Sequence, residues 1–311
     1  MTFSRIAGTG SYLPAKVLTN HDLERMVETS DAWIRERTGI TERRICAEGE
    51  STTDLAEKAL QQALAAAGIT VRDLDLILVA TCTQDGSFPS TAVRVQHRLG
   101  AAGIPAFDLN AACSGFIYGL SMGDAFIRSG QGKRVAVIGA ERMSSITDWN
   151  DRGTCILFGD GAGAVILEAS KDQGVISTHI HSDGQYEELL YHDVKRNKIV
   201  MKGNEVFRVA VRTLERIAVD TLAANNMDKK DLDWLIPHQA NLRIMLATAQ
   251  KLGLPEERVI ITVDVHGNTS AASIPLALDA GIRSKRIKRG EALLMESFGA
   301  GFTWGSALVR Y

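Results

Sequence analysis

The chain has 311 residues, 45% hydrophobic and 23% charged, with a formal net charge of −2. That balance is ordinary for a globular protein with a sizeable core and gives no electrostatic reason to expect nucleic acid as a partner. No stretch approaches the roughly 20 apolar residues that span a bilayer, and the opening MTFSRIAGTGSYLP lacks a signal-peptide core, so the expectation is a cytoplasmic protein with no membrane partner.

GTGSYL at 8–13 lacks the third glycine of a dinucleotide-binding turn, and no G-K-[ST] loop follows anywhere, which argues against NAD and ATP. KALQQALAAAGITVRDLDLILVAT (58–81) reads as an alanine-rich helix, a turn and an apolar strand. IPAFDLNAACSGF (104–116) reads as a strand and small residues, and a helix-period run follows to about 130. RVAVIGAE (134–141) and GAGAVILEA (161–169) are further strands. Residues 171–205 have mixed polarity and no clear pattern.

The same order then returns. RIAVDTLAANNMDKKDLDWLIPHQ (216–239) repeats helix, turn and strand, with Asp-Leu-Asp before the strand as at 73–75. VIITVDVHGNTSAAS (259–273), EALLMESF (291–298) and GSALVRY (305–311) match the remaining strands at nearly equal spacing, with Asp264 falling opposite Asp108. Four matches in one order argue for an internal duplication, here divided into halves 1–172 and 173–311. Strands alternating with helices predict mostly parallel α/β sheets, packed about a pseudo-two-fold axis, with chemistry beyond the carboxyl ends of the strands.

The four cysteines are far apart, so neither a disulfide framework nor a metal site is expected. Cys46, Cys82 and Cys155 read as small buried hydrophobes. Cys113 differs: it stands where a strand gives way to a helix, and a helix N-terminus favours a thiolate. His238 ends a strand of the second half, and Asn268 lies in the loop matching that of Cys113. Cysteine, histidine and asparagine at three equivalent strand ends suit acyl-thioester chemistry: a sulfur attacks, and N–H donors hold the oxyanion. The same trio also serves cysteine hydrolases, and a non-catalytic acyl-binding module with a structural Cys113 is the third reading.

AACSGF, FGDGAGAV, PHQANLRI, HGNTSAAS and SFGAGFTWG, taken together, resemble the thiolase superfamily, and within it the β-ketoacyl-acyl-carrier-protein synthase III family. The likeness runs from GTGSYLP to GSALVRY. It implies a five-layered αβαβα fold and a decarboxylating condensation primed by an acyl-CoA, with acetyl-CoA the expected primer and no tightly bound cofactor. By this resemblance Cys113 carries the acyl group, His238 and Asn268 serve malonyl decarboxylation, and the backbone N–H groups of Cys113 and Ala300 form the oxyanion hole. Ala300 stands where the family often has glycine. Thr29, Trp33, Arg37, Arg152, Phe207, Ala240 and Asn241 match CoA-binding positions. Arg208, Arg212, Arg243 and Lys251, with Arg216 on the same helical stripe, match a surface for the acidic acyl-carrier protein. Phe88 matches a residue that reaches into the partner's acyl pocket, which implies a homodimer. A related synthase of polyketides or β-keto signalling products shares these features.

Overall fold

The computed structural model describes residues 2–311. Its first sheet contains β1 (Phe3–Tyr12), β2 (Leu76–Ala80), β3 (Ala106–Leu109), β4 (Arg134–Arg142) and β5 (Asp160–Ser170), in the order β1-β5-β4-β2-β3. Its second contains β6 (Val175–Ser182), β7 (Trp234–Pro237), β8 (Ala292–Gly299) and β9 (Thr303–Arg310), in the order β6-β9-β8-β7. The pairing sense also agrees. β2 runs parallel to β4 and to β3, β7 runs parallel to β8, and the pairs β4–β5, β1–β5, β8–β9 and β6–β9 are antiparallel.

The fifth position of the second sheet departs from the strand expected at 259–262. Val259 makes a single parallel bridge to Leu235, and the chain then turns into the short helix Val263–His266. The Gln239 side chain explains the difference. Its amide donates to Ile260 O, and its oxygen accepts from Thr262 N and Val263 N, so a side chain takes the backbone groups that a ladder would pair.

Six of the helices complete five layers. α1 (Thr52–Ala67) and α2 (Thr91–Arg98) cover the outer face of the first sheet. α3 (Gly115–Arg128) and α6 (Ser273–Arg283) lie between the sheets. α4 (Gly203–Ala224) and α5 (Leu242–Leu252) cover the outer face of the second. The run Leu76–Ala80 is wholly buried because Leu76 and Leu78 face the central helices while Ile77 and Val79 face α1 and α2. A capping box between Ser51 and Asp54 starts α1, and Gly68, at φ 69°, ends it.

Residues 171–205 are more structured than their composition suggests. They supply β6, a 3₁₀ turn at Gly184–Leu189 and a hairpin of Leu190–Asp193 with Lys198–Met201.

The halves interlock through glycines. A Cβ at Gly139 on β4 would lie 2.2 Å from Ala271 O, and one at Gly299 on β8 would lie 2.7 Å from Cys113 N. Each sheet therefore admits the other half's turn against bare backbone.

Candidate active site

Cys113 and Asn268 sit on two copies of one turn. In the first, Asn110 Oδ1 accepts from Ala112 N at 3.1 Å, Ala112 takes φ 47°, and the 3₁₀ turn Ala112–Ser114 leads into α3. In the second, Asn268 Oδ1 accepts from Ser270 N at 2.9 Å, Ser270 takes φ 49°, and Ser270–Ala272 leads into α6. Asn110 and Asn268 follow Asp75 and Asp233 at equal spacing, so the asparagines correspond. The expected match of Asp108 with Asp264 is corrected: Asp108 caps α2 through Thr91 N and Ala92 N, whereas Asp264 lies in the short helix after Thr262.

The turn also aims Asn268. With its oxygen held by Ser270 N, the amide NH2 is left to donate, and the residue lines a cavity of about 350 Å³ together with Cys113 and His238. His238 follows β7 and is buried. Its Nδ1 lies 2.6 Å from Ser273 Oγ, which itself accepts from Gln239 N. The serine proton is thereby assigned to Nδ1, and the imidazole proton to Nε2. Burial pushes the His238 pKa down to about 3, so the ring is a neutral N–H donor at physiological pH.

Cys113 retains accessible surface at the cavity, yet burial pushes its thiol up to about 12. The Ser270 hydroxyl and the Cys113 N–H favour the anion, and the Glu141 charge opposes it. Loss of water around the sulfur works against the thiolate that the helix start favours. Cys82 is corrected as well. It is only partly buried, and it lines a second cavity of about 470 Å³ that meets the first at Cys113. Met143, Ile146, Phe158, Leu190 and Ile199 make that second cavity largely apolar.

Ala300 lines the second cavity beside Cys113. Its φ is not positive; the left-handed-side conformation falls on Gly301, at φ 131°, so alanine fits here without strain. Thr303 Oγ1 donates to Ala111 O at 2.7 Å and Ser114 Oγ donates to Thr303 O at 3.0 Å, fastening this loop to the cysteine turn.

Of the matched CoA positions, Trp33, Arg37, Phe207, Ala240 and Asn241 line the first cavity, as does Arg243. The Arg37 and Arg152 guanidinium carbons both lie 4.7 Å from the Trp33 ring centroid. Asn241 is engaged structurally: its oxygen caps α5 at Arg243 N and its amide donates to Arg37 O. Thr29 does not line the cavity; it follows Glu28, whose carbonyl accepts from Arg152. Arg208, Arg212 and Arg216 on α4, and Arg243 and Lys251 on the adjacent α5, are all exposed. Asp220 pairs with Arg216 at 3.4 Å. Phe88 is 85% exposed. Among the described residues, no cluster of His, Cys, Asp or Glu is placed to hold a metal, and no helix is long and apolar enough to cross a membrane. Ser273 carried no sequence signal, because the side chain it holds, His238, is distant in the chain.

Two family models match: 3-oxoacyl-[acyl-carrier-protein (ACP)] synthase III over residues 107–184, and its C-terminal domain over 222–311. The β-ketoacyl-[acyl-carrier-protein] synthase III of Alkalilimnicola ehrlichii is 59% identical over 100% of both chains. The chain belongs to the β-ketoacyl-acyl-carrier-protein synthase III family. A 58% identical synthase III from Xanthomonas campestris covers 99% of this chain and 98% of its own. The crystal structure of the Aquifex aeolicus synthase III superposes with a TM-score of 0.97 at 50% identity, covering 99% of this chain and 100% of that one. The priming β-ketosynthase of the R1128 polyketide pathway superposes at 0.95 with 35% identity, over 99% and 96%. The five-layered thiolase fold is therefore the family's own.

Proposed function

We propose that the protein performs the initiating condensation of fatty-acid synthesis. Cys113 takes an acyl group from an acyl-CoA, with acetyl-CoA the expected primer. Malonyl-acyl-carrier protein then loses CO2, and the resulting carbanion attacks the acyl thioester to give a 3-ketoacyl-acyl-carrier protein. The observation that carries this reading is the convergence of Cys113, His238 and Asn268 on one cavity. Decarboxylation turns the malonyl carbonyl into an enolate, and two fixed neutral donors, His238 Nε2–H and the Asn268 amide, stabilise that oxygen as its charge grows. The Cys113 and Ala300 backbone N–H groups serve the acyl carbonyl.

CoA enters along the Trp33–Phe207 wall. Arg152 rests directly on the Trp33 ring, so an adenine stacked between them requires Arg152 to swing outward. Arg37 and Arg243 are the phosphate partners. The exposed arginines of α4 and α5 receive the acidic carrier protein beside the cavity that Arg243 lines. Phe88 projects from the surface to complete the acyl pocket of a second copy, in a homodimer whose protomers each divide into halves at 172/173. The polyketide-priming alternative differs in the primer accepted by the apolar second cavity. A hydrolase is disfavoured by His238, whose depressed pKa makes it a poor base.

The test is turnover of purified protein with malonyl-carrier protein and a panel of acyl-CoA primers. Carbon–carbon bond formation with acetyl-CoA is expected. Thioester hydrolysis without condensation overturns the reading, and condensation only with longer primers favours the polyketide alternative.

A further inference from the structure

The second half keeps open a space that the first half closes. β5 and β9 correspond through Gly163 and Gly305, so Gly10, which pairs with Ala164, corresponds to His179, which pairs with Ser306. A Cβ at Gly10 would lie 2.3 Å from Ala63 N and 2.4 Å from Ala59 O, so α1 rests there on bare backbone. Counting back from Asp75 and Asp233, the counterparts of those alanines on α4 are Thr221 and Ile217. An imidazole at 179 keeps α4 off the strand, and a cavity of about 590 Å³ lies between them.

Its lining is cationic. His179 and His181, two apart on β6, share one face of the strand, and Arg212, Arg216 and Asp220 stand at successive turns of α4. The His181 ring stacks on Trp304 with centroids 5.6 Å apart. The fold makes little use of these charges. Arg216 reaches Asp220 only at 3.4 Å, Arg212 Nε donates within its own helix to Arg208 O, and His179 Nε2 has no partner among the described residues. Two guanidiniums against one carboxylate leave the cavity positive before either histidine is protonated. A phosphate group presents more acceptor oxygens than a carboxylate and suits several converging cations. We propose that this cavity binds the phosphate group of a small soluble molecule. It shares no lining residue with the two cavities at Cys113, so the site stands apart from the condensation chemistry.

Burial, and then the charge of His181, hold the His179 pKa below the usual histidine value. The charged groups around it are His181 on its own strand and Arg212, Arg216 and Asp220 on α4, while β9 brings only Ser306 and Trp304. A bound dianion favours the imidazolium, so it raises the His179 pKa and binds more tightly as pH falls. Arg212 and Arg216 also belong to the stripe proposed for the carrier protein. Where that reading holds, the anion and the carrier protein compete for the same guanidiniums.

The test is a titration of the full chain with inorganic pyrophosphate at constant ionic strength, read by NMR at the His179 ring. That ring is read directly because pyrophosphate can also reach Arg37 and Arg243; His179→Gln identifies its signal. Pyrophosphate is expected to move the His179 titration to higher pH, and Arg216→Gln should need about tenfold more of it for the same shift. Sulfate, which stays a dianion, should bind more tightly at about pH 6 than at about pH 8. A His179 titration unmoved by pyrophosphate, or moved equally in Arg216→Gln, overturns the site. A ring that responds only to carrier protein overturns it too, in favour of a docking surface alone. A His179 shift with no rise in the KM for malonyl-carrier protein supports the site and contradicts instead the carrier-protein role of Arg212 and Arg216.

Discussion

His238 Nδ1 lies 2.6 Å from Ser273 Oγ, and the serine oxygen is itself anchored by Gln239 N. The contact fixes both the ring plane and the tautomer. In Ser273→Ala the ring can turn and its Nε2 proton is no longer specified. Malonyl decarboxylation should fall about tenfold, part of the 10²–10³ lost when such a donor is removed outright, while acyl loading stays near wild type. Stopped-flow CO2 release from malonyl-carrier protein checks this.

His238→Ala and Asn268→Ala should each keep acylation of Cys113 and lose about 10²–10³ in CO2 release. Because burial holds the His238 pKa near 3, wild-type CO2 release should show no histidine titration between about pH 5 and 8. Wild-type CO2 release from either variant contradicts the assignment.

Glu296 on β8 is a different kind of buried acid. Among the described residues neither of its oxygens has a partner of normal hydrogen-bond geometry. Burial pushes its pKa up to about 8, the Thr248 hydroxyl offsets a little, and Glu215 adds to the rise. A carboxyl with a raised folded pKa stabilises the protein below its unfolded pKa, near 4.5, and that contribution is lost as pH rises toward 8. Glu296→Gln should therefore gain stability over wild type progressively across that window, reaching a few kcal/mol above it, on the order of what such shifts represent. Denaturant titrations at pH 5, 7 and 9 measure the gap.

The stripe of α4 and the exposed end of α5 should set the carrier-protein KM. Arg208→Ala combined with Arg243→Ala should raise KM for malonyl-carrier protein about tenfold and flatten its salt dependence. Arg243 also lines the first cavity, where CoA is proposed to bind, so Arg208→Ala alone is the cleaner variant, with KM for acetyl-CoA unchanged.

The duplication was legible because each half repeats a helix, an Asp-Leu-Asp turn and an apolar strand, and the strand order confirms it. The turns that carry Cys113 and Asn268 could be paired from their matching loops. The missing strand at 259–262 was not legible, because the Gln239 side chain replaces its ladder from another part of the chain. The two influences on Cys113 differ in the same way. A helix start is a local pattern, whereas the burial that raises the thiol is assembled from both halves. Cys82 looked like core because its apolar strand does, yet it lies just past the end of β2, where the sheet opens onto the second cavity.

The most direct test of the account is mass spectrometry of the protein after incubation with acetyl-CoA alone. The account predicts one acetyl group per chain, on the peptide containing Cys113 and absent in Cys113→Ser. An unmodified Cys113, or an acetyl group carried by Cys82, contradicts it.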